Sequence, residues 1–201
     1  MNRASVVMPR LSSHGLVRLA LALVAAAQVA RFQVPRAHAS IVLALDLPDL
    51  VGRADRIVVA DVVNVTCAWD RAHRTILSTI ELAVGESWKG SVGPTRRLSI
   101  VQVGGQVDGV EMTVVGQATF VPSERVVLFL RGSEDRAGVV GLGQGKRSLH
   151  FDPARQTWMA SGGDRSAAVH IDGAGRMLPA APEAPVSLSL LRQQVTALVK
   201  R

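Results

Sequence analysis

Ile57-Val58-Val59-Ala60-Asp61-Val62-Val63-Asn64-Val65-Thr66 is the stretch that decides the fold. Successive residues of a strand point to opposite faces. On that count Ile57, Val59, Val63 and Val65 share one face, and Val58, Ala60 and Val62 share the other. Both faces are apolar at first. Asn64 and Thr66 then make one of them polar. A strand covered on both sides at its start and on one side later fits a closed barrel. Just upstream, Asp46 is placed to cap a short helix across 47–54, with Pro48 and Asp49 in its first turn. Leu47, Leu50 and Val51 would face inward, and the helix is expected to plug one end of the barrel.

Working outward, Thr75 to Val84 is a second strand, rich in β-branched residues and reached through the polar turn 69–74. Arg97 to Val103 is a third, ended by Gly104-Gly105. A short strand is expected at Glu111 to Val115 and a strong one at Arg125 to Leu130. Gly141, Gly143 and Gly145 alternate, which points to close backbone approach at a barrel corner. Lys146 to Phe151 and Thr157 to Ala160 form a further pair about the turn 152–156. Residues 173–186, with Pro179, Pro182 and Pro185, read as a loose linker. A last helix follows, capped by Ser187, with an apolar stripe of Leu188, Leu191, Val195, Leu198 and Val199. The expected fold class is mainly β: an OB-like barrel with short flanking helices. The barrel domain spans 40–178, and the Pro-containing linker with its packed helix spans 179–201.

Residues 1–39 read as a signal peptide. Arg3, Arg10 and Arg18 precede the apolar run 19–27, and Ala37-His38-Ala39 offers a cleavage site before Ser40. The run ends near Ala30, short of the about 20 residues a membrane span needs. The membrane is therefore expected to be met only in transit, and the protein to be secreted or periplasmic. The charge follows the same division. The chain has 23 Lys and Arg against 16 Asp and Glu, a net of +7, but five of those arginines lie in 1–39. Removing five from 23 leaves 18 against 16, a net of +2 for the rest. So balanced a domain, with no Tyr and only six aromatic rings after residue 39, is a poor nucleic-acid binder. A single cysteine, Cys67, excludes an intrachain disulfide and a cysteine-cluster metal site.

The order Ile57 to Val62, then Glu86-Ser87-Trp88-Lys89-Gly90, then Leu98-Ser99-Ile100-Val101, then Glu124 to Leu130 resembles the netrin-like domain of tissue metalloprotease inhibitors and complement C-terminal domains. It also resembles a group of exported bacterial proteins with the same strand order. The resemblance covers residues 46 to 150 and implies an OB-like five-stranded barrel with helices at its side. It also implies a role in binding another exported protein. The animal inhibitors begin with a cysteine that chelates the target's zinc. Ser40 stands at the corresponding place here, and Cys67 does not match it, so the inhibitory mechanism does not carry over.

No constellation argues for catalysis. His150-Phe151-Asp152 and His170-Ile171-Asp172 repeat a His-x-Asp order that two adjacent strands could turn into a metal site. Asp152 precedes Pro153 and Asp172 precedes Gly173, however, and both read better as turn initiators. Cys67 reads as a half-buried inert thiol, since the nearby His73 lies in an arginine-flanked turn. Gly141-Leu142-Gly143-Gln144-Gly145-Lys146 lacks the spacing of a phosphate loop. There is no Gly-x-Ser-x-Gly elbow. The expectation is an exported, non-catalytic binding or protein-interaction module without metal or cofactor. A secreted hydrolase and a structural envelope component are the alternatives. Trp88, Lys89, Arg96 and Arg97 are the candidate partner contact, because Trp and Arg dominate interface energies. Trp88 covering the barrel end is the competing reading of that residue.

Overall fold

The computed structural model describes residues 42–200. The expected signal peptide and its expected cleavage site before Ser40 lie outside them. In chain order the elements are β1 (Val42–Leu43), α1 (Leu47–Arg53), β2 (Arg56–Trp69), β3 (Ile76–Lys89) and β4 (Arg97–Val103). Next come β5 (Gly105–Val107), β6 (Val110–Met112), β7 (Arg125–Gly132), β8 (Ala137–Val139), β9 (Lys146–Asp152) and β10 (Thr157–Ala160). The chain ends with β11 (Ala168–Ile171), β12 (Met177–Pro179), β13 (Val186–Ser187) and α2 (Leu188–Val199).

Five strands close on themselves. β2 pairs antiparallel with β3, and β3 with β4. β4 pairs parallel with β8, β8 antiparallel with β7, and β7 antiparallel with β2. This is an OB-like barrel, as the sequence predicts. The inner faces of the strands fill it: Val58, Ala60 and Val62 meet Ile80, Leu82, Leu98, Ile100, Leu128 and Leu130.

The alternate residues of β2 and β7 build a second core outside the barrel. Ile57, Val59, Val127 and Phe129 point outward and are covered by Leu50 and Val51 of α1 and by Leu191 and Val195 of α2. Both faces of β2 are apolar at its start because both are buried. The helix expected to plug the barrel end instead lies against its side. Asp46 does cap that helix, its Oδ1 accepting from Asp49 N at 2.9 Å, and Ser187 caps α2 by accepting from Leu190 N at 3.2 Å.

β7 changes partner along its outer edge. Leu130 to Gly132 pair with β8, whereas Val126 to Leu128 pair with β9. The changeover falls at Gly145, whose carbonyl accepts from Phe129 N at 2.9 Å. A Cβ at Gly145 would lie 2.5 Å from Val140 O, so the corner read from the alternating glycines requires a bare backbone here. β9, β10 and β13 then extend the main sheet. β11 and β12 join β1 in a separate three-stranded sheet.

Three departures from simple alternation occur in the β2–β3 hairpin. The register skips Val63, an extra residue on β2 between Val62 and Asn64. The bulge leaves Val63 45% exposed and turns Val65 toward the barrel core, so these valines do not share the face of Ile57 and Val59. The register also skips Gly85 and Trp88 on β3.

Candidate functional site

The four sequence-predicted contact residues all lie around the β3–β4 turn, but most of their polar groups are used within the fold. Trp88 sits in its bulge, half-buried against the outer core, and its Nε1 donates to Glu86 Oε2 at 3.1 Å. Arg192 of α2 reaches the same carboxylate oxygen at 3.4 Å. The ring therefore packs beneath the terminal helix and does not cover a barrel end. Lys89 Nζ donates to Val51 O at 2.7 Å, satisfying a carbonyl in the last turn of α1. Arg96 has a left-handed backbone (φ 52°) and donates to Val84 O and Gly85 O at the bulge. Arg97 is exposed.

The His-x-Asp pairs fall on different sheets. His150 lies on β9 and His170 on β11. Asp152 Oδ1 accepts from Ala154 N and Arg155 N, and its Oδ2 accepts from Arg155 Nη1 at 2.7 Å. Asp172 makes the equivalent turn with Ala174 N, Arg176 N and Arg176 Nε. The Arg155 guanidinium, with the turn amides, holds the Asp152 carboxyl below the usual range. The Arg176 amide and side chain do the same for Asp172. Among the described residues no cluster of three His, Cys, Asp or Glu side chains is gathered for a metal.

Cys67 is half-buried at the far end of the barrel, with Sγ 3.3 Å from Ser78 Oγ. Ser78 in turn donates to Gly104 O at 2.6 Å. This pair borders a cavity of about 290 Å³ under the β5–β6 hairpin, lined by neutral side chains apart from Glu111. His73 stacks near Trp69 in the β2–β3 turn, with ring centroids 5.9 Å apart. Lys146 is held by Glu124 at 2.8 Å and lies 4.9 Å from the Phe120 ring centroid, so it is a structural cation and not a phosphate-loop lysine.

The sequence reading missed the small sheet. Leu43 pairs with Val169, Val169 with Pro179, and Ile171 with Met177. Directly opposed residues share a face, as do Val169 and Ile171 two apart. Five apolar side chains from three strands thus form one outward surface. Leu43 is 54% exposed, Ile171 58% and Met177 62%, values far from those of a core. The Asp172–Arg176 ion pair at 2.8 Å lies at one end. Part of the signal was present. Ala168 to Ile171 and Met177-Leu178 are apolar runs about the turn sequence Asp172-Gly173-Ala174-Gly175. The three prolines downstream masked it, because they also mark a linker.

In sequence comparisons no family model matches the chain, and no curated protein matches it.

Proposed function

We propose that the protein is an exported, non-catalytic protein-interaction module that docks on another exported protein through the outward face of β1, β11 and β12. The observation that carries this reading is the contiguous apolar surface of Leu43, Val169, Ile171, Met177 and Pro179. Folded monomers seldom leave such a surface uncovered unless something binds it. The resemblance to netrin-like domains, which bind other exported proteins, supports the same class. Export rests on the reading of residues 1–39, and mass spectrometry of the exported protein should begin at Ser40.

The docking reading is tested by placing a photo-crosslinking residue at Met177 and, separately, at Arg97. One partner captured at 177, and lost in the double variant Ile171→Lys, Met177→Lys with unchanged thermal unfolding, is the expected result. Crosslinks at 97 alone would move the contact to the β3–β4 turn. A concentration-dependent dimer in sedimentation, abolished by the same double variant, would make the face a self-interface.

A further inference from the structure

We propose that the groove between β1 and β8 is a binding site for a free fatty acid, with Arg53 and Arg131 holding its carboxylate. The groove is open to solvent and offers about 600 Å³, within the range of small-molecule sites. Val42, Leu43 and Leu45 from the β1 segment and Gly138, Val139 and Val140 from the β8 segment line it. Arg53, at the end of α1, and Arg131, at the end of β7, are the charged lining residues. Both are exposed, and among the described residues neither forms an ion pair. An apolar trough with two uncommitted guanidinium groups complements a ligand with a hydrocarbon tail and one anionic head. The planar fork of arginine can hold a carboxylate through two parallel hydrogen bonds.

The wall beside Arg131 is kept open. Gly138 is paired directly opposite Arg131 in the β7–β8 ladder, so the two residues share a face. A Cβ at Gly138 would meet no atom within 4 Å. Space for a ligand therefore lies next to the cation.

The backbone decides between an acyl chain and an apolar peptide. A peptide laid along β1 would need free main-chain groups to replace the water stripped from its amides. β1 has few to offer. Val42 N and Ala44 N donate to Ala167 O and Val169 O of the β11 region. Leu45 N donates to Gln144 Oε1 at 2.8 Å, and Leu43 O accepts from Gln144 Nε2 at 3.1 Å. Gln144 is itself 2% exposed, so its amide is fixed in that role. A hydrocarbon chain makes no such demand. The site shares Leu43 with the docking face but requires no protein partner, so it stands or falls separately.

The test is calorimetric titration of the purified protein with decanoate and, as the uncharged counterpart, decan-1-ol. Decanoate should bind saturably below its micellar concentration, at least about tenfold more tightly than the alcohol. The double variant Arg53→Gln, Arg131→Gln should lose about that factor for decanoate alone. Gly138→Phe should abolish binding of both ligands while leaving thermal unfolding unchanged. If Gly138→Phe does not fold, Leu43→Glu replaces it, since Leu43 is exposed, and it should weaken decanoate more than the alcohol. Equal affinities for acid and alcohol, or variants that change neither, would overturn the site. Failure of decanoate to bind at millimolar concentration would do so too, as would binding seen only with phosphatidylglycerol vesicles or better occupancy by an apolar peptide amide.

Discussion

At the scale of single residues, the most exposed weakness of the fold is a buried cation. Arg147 has a side chain only 5% exposed, with Glu183 Oε2 2.6 Å away. Burial pushes its guanidinium pKa down, and Glu183 opposes that shift. Glu183 also bridges to Arg165 at 2.9 Å, so one carboxylate serves two arginines. Removing one partner of a fully buried pair costs about 3–5 kcal/mol. Glu183 is 28% exposed, so Glu183→Gln is expected to lower stability by about 2 kcal/mol in urea unfolding. A loss under about 0.5 kcal/mol would show that water already solvates Arg147. The sequence did not reveal this pair, because 36 residues and three strands separate its members. The turn aspartates were readable, since an Asx turn is a local event. Asp172 carries a second prediction. Its folded pKa is depressed, so its contribution to the β11–β12 turn is complete above the ordinary aspartate value of about 3.9 and is lost as pH falls through the folded value. A carboxyl titration followed by NMR should give a midpoint below about 3.9, and Arg176→Ala should raise it. A midpoint unmoved by that variant would show that the Arg176 guanidinium adds nothing to what its amide already does in the turn.

At the scale of elements, legibility follows the range of the interactions. The two helices are written in their caps and stripes, and Asp46, Ser187, Leu191 and Val195 all act as their positions suggest. Bulges are not written that way. Nothing local to Val63 announces that the register will skip it, just past Asp61 where the β2–β7 ladder ends. The same applies to Trp88, whose charged and Gly-bounded surroundings suggest an exposed anchor. Its bulge instead turns the ring onto the outer core. The terminal helix is the element whose role is tested most directly. Leu191 is 3% exposed and faces the outer core with Val195. Leu191→Ala should cost about 2–5 kcal/mol, read as a clear fall in Tm. Leu190, 43% exposed on the same helix, supplies the control, and Leu190→Ala should shift Tm little. Equal shifts for the two variants would mean that α2 packs through a different face.

At the scale of the whole molecule, two cores share two walls. Val58, Ala60, Val126 and Leu128 face the barrel interior, while Ile57, Val59, Val127 and Phe129 on the same strands face the outer core. The barrel was legible because its strands carry period-two patterns, and the outer core was half legible because β2 is apolar on both sides. What covered that second side was not, because α1 and α2 are far apart in sequence and approach β2 and β7 only in the fold. Sharing walls has a thermodynamic consequence. Loss of β2 or β7 opens both cores at once, because each strand walls both. Leu82→Ala removes a fully buried side chain from the barrel interior, and Leu50→Ala removes one from the outer core. Each is expected to cost about 2–5 kcal/mol. Both should move one and the same unfolding transition, with the calorimetric and van't Hoff enthalpies equal in the parent and in each variant. Two resolved heat-absorption peaks, with Leu50→Ala moving only the lower one, would show instead that the helical cover melts off a barrel stable on its own, and that the shared strands do not couple the cores.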